Sequence, residues 1–74
     1  MQRYGQGNTG SGVAAFENGD GWMLVRFVDG ETYRYSQRKP GRTHLQRMQR
    51  LALAGSGLAT YINQHVRGNY EEKL

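Results

Sequence analysis

The chain has 74 residues, with 10 Lys and Arg against 6 Asp and Glu, 11 Gly, one Pro and no Cys. A chain this short buries only about 60% of the surface its unfolded form exposes, so a single thin core is all it can build. The lack of Cys excludes a disulfide framework and a thiolate metal site. No apolar run approaches the about 18 residues of a membrane span, and Met1 to Gly5 lacks the apolar stretch of a signal peptide. The expected setting is a reducing cytoplasm without a membrane.

Leu, Ile, Val and Phe make up 13 of 74 residues, a share close to that of disordered chains, but five Tyr, one Trp and three Met add bulk. A folded domain with a loose end is expected. Residues 1–12 are Gly among Gln, Asn, Ser and Thr without apolar periodicity, and read as a flexible arm. The domain is expected over residues 13–70, with a charged tail over 71–74.

From Val13 to Phe16 a short apolar run leads to the turn cluster Asn18-Gly19-Asp20-Gly21, a hairpin signal. Trp22 to Val28 and Glu31 to Ser36 then read as two further strands around Asp29-Gly30, giving a three-stranded antiparallel meander. Two registers compete for the second hairpin, because a one-residue slip moves every side chain to the other face. A two-residue Asp29-Gly30 loop sets Trp22, Leu24 and Val28 beside Tyr33 and Tyr35. A three-residue Val28-Asp29-Gly30 loop, with Gly30 in the left-handed bulge position, gathers Met23, Val25, Phe27, Tyr33 and Tyr35 instead. The second divides apolar from polar more cleanly and is preferred. It leaves Arg26, Thr32 and Arg34 on the opposite face together with Trp22 and Leu24.

After Pro40-Gly41 the period changes to that of a helix. Thr43 and Gln46 fit a capping box, Leu45, Met48, Leu51 and Ala52 form an apolar face, and the helix should end near Ala54. Gly55-Ser56-Gly57 breaks the chain and Ser56 is placed to cap a second helix, whose inward stripe is Leu58, Ala59, Ile62 and Val66 with Tyr61 at its edge. Gly68-Asn69 is a stop. The fold class expected is α+β, a small meander packed against two C-terminal helices.

Charge is segregated along this chain. Between Thr32 and Tyr70 there are seven basic residues and no acidic one: Arg34, Arg38, Lys39, Arg42, Arg47, Arg50 and Arg67. Six of the seven are Arg, whose planar fork makes two charge-assisted hydrogen bonds to a phosphate. The plainer reading is a set of solvated side chains whose stems cover apolar surface. The segregation favours contact with a polyanion, nucleic acid above all.

Other signals carry less. Gly5-Gln6-Gly7-Asn8-Thr9-Gly10 matches a dinucleotide fingerprint in letters, but no strand precedes it and strands, not a helix, follow. Gly55-Ser56-Gly57 opens a helix, where free amides can hold a phosphate, yet a helix linker with a serine cap accounts for it. Tyr33 and Tyr35 flank Arg34; with both rings in the core, Trp22 becomes the exposed aromatic available to stack on a base. His65 is expected as a partly buried side chain between Leu58 and Tyr61, and His44 falls in the first helical turn. Neither has a carboxylate or a second His at metal-ligand spacing, and the carboxylates cluster in turns and the tail. No catalytic residue, metal or cofactor is expected, and the chain does not read as an enzyme.

Met23-x-Val25-x-Phe27, Gly30, Tyr33-x-Tyr35 and Tyr61-Ile62-Asn63-x-x-Val66-Arg67-x-x-Tyr70, in that order and spacing, resemble the KTSC domain. That family is a short module at the C-terminus of some lysyl-tRNA synthetases and also occurs as free-standing bacterial proteins. The likeness covers about residues 11–70 and departs at Arg38-Lys39-Pro40, where the family tends to have Val-Pro, and at Ala59, where it often has Gly. The resemblance implies a non-catalytic domain and favours RNA over DNA as the ligand. The expected phosphate contacts are Arg38, Lys39, Arg42, Arg47 and Arg50, with Arg34 and Arg67 at the margin and Trp22 as the stacking residue. The competing class is a protein-interaction or homodimerisation module that uses apolar residues such as Trp22 and Leu24.

Overall fold

The computed structural model describes residues 1–5 and 12–74. Five antiparallel strands lie side by side in chain order: β1 (Gln2–Arg3), β2 (Val13–Gly19), β3 (Trp22–Phe27), β4 (Thr32–Ser36) and β5 (Glu72–Lys73). One sheet face carries α1 (Arg42–Ala54) and α2 (Leu58–Tyr61), and α2 runs on directly into a π-helical segment, Ile62–Val66. The α+β class and the meander are as expected, but the sheet is wider by a two-residue strand at each edge. Among the described residues no helix is long and apolar enough to cross a membrane.

The second hairpin adopts the three-residue loop. Met23 pairs with Tyr35 and Val25 with Tyr33. The Phe27 amide donates to the Glu31 carbonyl at 2.8 Å, and Gly30 takes φ 92°, the left-handed conformation the loop demands. Met23, Val25 and Tyr35 are therefore buried, and Trp22, Leu24 and Arg34 fall on the opposite face.

In β2 the buried residues are Val13 and Phe16, three apart rather than two or four. A bulge between Val13 and Ala15 explains the spacing: one extra residue shifts the register, so both side chains reach the core. The carbonyl of Ala14, in the bulge, accepts a hydrogen bond from the Tyr4 amide at 3.1 Å.

That contact corrects the reading of the chain start as an arm. Gln2 and Arg3 pair with Phe16 and Ala15, and Tyr4 is 1% exposed in the core. Residues 6–11, with most of the Gly5 to Gly10 motif, lie outside the described residues. The tail is also corrected at Glu72–Lys73, which pairs with β4. Both edge strands are short and charged, a form that discourages pairing with another chain.

The end of α1 is as expected, but the starts of both helices and their N-caps are not. α1 begins at Arg42 behind Gly41 (φ 115°), with no side-chain cap, so Thr43 lies inside the helix and the expected capping box is absent. Its end is as expected: Gly55 adopts φ 77° and its amide donates to the Leu51 and Ala52 carbonyls. α2 begins at Leu58 behind Gly57, one residue too late for Ser56 to cap it. The Leu58 amide instead donates to the Tyr4 hydroxyl at 3.0 Å, a partner 54 residues away. The inward residues Leu58, Ile62 and Val66 are spaced by four, which overshoots a 3.6-residue turn; the wider π turn restores them to one face.

Candidate nucleic-acid interface

The loop between β4 and α1 is a turn built on Ser36. The buried Ser36 hydroxyl accepts hydrogen bonds from the Arg38 and Lys39 amides at 3.1 and 3.3 Å, and the Ser36 amide donates to the Lys39 carbonyl at 2.8 Å. Arg38 and Lys39 are thereby fixed at the backbone while both side chains stay exposed. Arg42 follows as the first residue of α1, also exposed, and the first turn of that helix holds no acidic residue.

α1 is held to the sheet by Leu45, Met48 and Ala52 on its buried face and by Gln49 beside them. The Gln49 amide nitrogen donates to the carbonyls of Gly19 at 3.0 Å and Trp22 at 2.9 Å, bridging the mouth of the first hairpin. With that face fixed inward, Arg47 and Arg50 are exposed. They share a groove of about 310 Å³ with Leu51 and Tyr61.

Tyr61 is the centre of a ring cluster that spacing alone does not reveal. Its hydroxyl and His44 Nδ1 share a hydrogen bond of 2.6 Å, and its ring lies 4.5 Å from that of His65. The two histidine rings are 6.1 Å apart although 21 residues separate them in the chain. His65 is exposed, which corrects the expectation of a partly buried side chain. The inward row is 58, 62 and 66, so Tyr61 and His65 stand on the flank that faces α1. Among the described residues no group of three or more His, Cys, Asp or Glu is assembled for a metal.

The expected site residues thus fall into three places. Arg38, Lys39, Arg42, Arg47 and Arg50 lie along the loop and α1. Arg34 and Trp22 lie on the sheet face opposite the helices, around a shallow pocket with Leu24 and Glu71. Arg34 is ion-paired there with Glu72 at 2.7 Å, and the Trp22 ring occupies the space beside Gly19. These two residues are not part of a surface with α1, because the strand alternation that buries Met23 and Tyr35 turns them the other way. Arg67 lies in a third place, a groove lined by Phe27, Tyr33, Tyr35 and Tyr70.

The electrostatics follow this division. The ion pairs among the described residues are Met1 with Glu17, Arg34 with Glu72, and Lys73 with Glu31. None of them involves the β4–α1 loop, α1 or Arg67. The one strongly displaced phenol is Tyr35, pushed up to about 12 by burial first and then by the neighbouring Tyr33 and Tyr70.

Compared with protein families, curated proteins and solved structures, the chain matches none. Phe27, Tyr33, Tyr35, Asn63, Arg67 and Tyr70 converge on the aromatic groove rather than on α1.

Proposed function

We propose that this chain is a small non-catalytic module of the cytoplasm that binds nucleic acid, RNA ahead of DNA, through the β4–α1 loop and the outer face of α1. The observation that carries the reading is the row of exposed cations, Arg38, Lys39, Arg42, Arg47 and Arg50, none with a carboxylate partner among the described residues. Binding a phosphate backbone there releases condensed counterions, and Arg makes the bidentate contact that phosphate favours. The Tyr61 ring between α1 and α2, flanked by His44 and His65, offers a stacking surface beside Arg47 and Arg50. The preference for RNA rests on the resemblance to the KTSC domain.

Homodimerisation through Trp22 and Leu24 has less support. Both side chains are half-buried, Trp22 is engaged over Gly19, and the Arg34–Glu72 pair lies on the same face. Titration of labelled single-stranded RNA at low salt decides between the two. Binding that Arg47→Ala with Arg50→Ala weakens at least about tenfold upholds the proposal, since each charged hydrogen bond contributes about 1.5–3 kcal/mol. A concentration-dependent dimer that ignores RNA upholds the other.

A further inference from the structure

On the flank of the second helix away from α1, a groove of about 550 Å³ opens between the end of the π-helical segment and the β3–β4 hairpin. That volume is in the range of about 300–1,000 Å³ typical of small-molecule sites. Its walls are aromatic: Phe27 meets Tyr33 edge-on at 5.5 Å, Tyr33 and Tyr70 lie 4.7 Å apart, and Tyr35 meets Tyr70 edge-on at 6.5 Å.

Among the described residues, the polar side chains around these rings lack partners, Asp29 apart. Tyr35 is 2% exposed, yet its hydroxyl makes no hydrogen bond among the described residues. The hydroxyls of Tyr33 and Tyr70 make none either. Asn63 in the π-helical segment and Arg67 just past its end line the rim, both exposed, and Arg67 is in no ion pair among the described residues.

A purely apolar occupant would desolvate these phenols and the guanidinium without replacing their hydrogen bonds, at a cost. A cationic occupant would meet Arg67. Asp29 also lines the groove, where its carboxylate already accepts from the Glu31 amide at 2.9 Å. The chemistry that uses the remaining groups is a flat ring bearing an anion: a ring face on the tyrosines, an edge on the Asn63 amide, which both donates and accepts, and the anion on Arg67. We propose that the groove is a nucleotide site, holding one unstacked base against Tyr33 and Tyr70 with its phosphate on Arg67. This rests on the reading of the chain as a nucleic-acid binder but uses a surface separate from α1.

The test is calorimetric titration with the four ribonucleoside monophosphates and with the matching nucleosides, beside labelled single-stranded RNA. The monophosphates should bind more tightly than the nucleosides. Arg67→Gln should bring them down to the nucleoside level, a loss of at least about tenfold, with partial recovery in Arg67→Lys. Tyr70→Leu should weaken both ligands, and the Arg67 and Tyr70 effects should persist in a background of Arg47→Ala with Arg50→Ala. Thermal melts of each variant establish that it is folded. If Arg67→Gln weakens the RNA strand as it weakens the monophosphate, the occupant is a nucleotide within a strand; if the monophosphate alone is affected, it is a free nucleotide. Either outcome upholds the site. No monophosphate binding at millimolar concentration, or binding indifferent to Arg67→Gln, overturns it. Strand binding through Arg47 and Arg50 would survive that result, so the two readings fail separately.

Discussion

Single residues decide several features of this fold, and Gly19 with Trp22 is the sharpest case. The two pair across the first hairpin, and the indole occupies the space a Cβ at position 19 would need. Gly19→Ala should therefore displace the indole, cost about 1–3 kcal/mol as an overpacked contact does, and shift the tryptophan emission; a chemical melt with fluorescence detection reads both. Tyr35 carries a pH signature. Burial pushes its folded pKa up to about 12 from the ordinary phenol value of 10.0, so the folded state retains a proton that the unfolded state loses between those values. The stabilisation is complete below about pH 10 and is lost as pH rises toward about 12. Tyr35→Phe should remove this component of the alkaline unfolding curve, leaving stability flatter across that window.

At the level of elements, two long-range contacts tie pieces that the sequence leaves separate. Gln49 bridges the first hairpin from α1, so Gln49→Leu should cost about 1–3 kcal/mol in a denaturant melt, because two carbonyls lose their donor. Tyr4 fills the core and caps α2 through its hydroxyl, and Tyr4→Phe should cost about 1 kcal/mol by the same measure. These contacts also mark where sequence reading reaches its limit. The β3–β4 register was legible because, of the two loop lengths open, the three-residue one divides apolar from polar side chains more cleanly, and the end of α1 because Gly55 is suited to φ 77°. The bulge in β2 was not, since Ala14 has no local signature and is stabilised from Tyr4. Nor were the helix starts, where Gly41 and Gly57 take the cap positions expected of Thr43 and Ser56. The Tyr61 cluster and the aromatic groove join residues from distant elements, and no spacing rule brings His44 to His65 or Phe27 to Arg67.

Over the whole molecule, the sheet acts as a divider of charge. The carboxylates Glu17, Glu31 and Glu72 are occupied in ion pairs with the N-terminus, Lys73 and Arg34, away from α1. The acid-free stretch from Thr32 to Tyr70 then leaves α1 and its loop with an uncompensated positive surface. The charge run was visible in the sequence, but its division was not: strand alternation removes Arg34 and Trp22 from that surface, and Arg67, just past the π-helical segment, falls in the aromatic groove. The most direct test of the central claim is the dependence of single-stranded RNA affinity on salt concentration. Five phosphate contacts on a single strand, at about 0.7 each, predict that log K falls with log salt at a slope of about −3.5, reduced to about −2 by Arg47→Ala with Arg50→Ala. A slope near zero, or one that this double substitution leaves unchanged, would contradict the account.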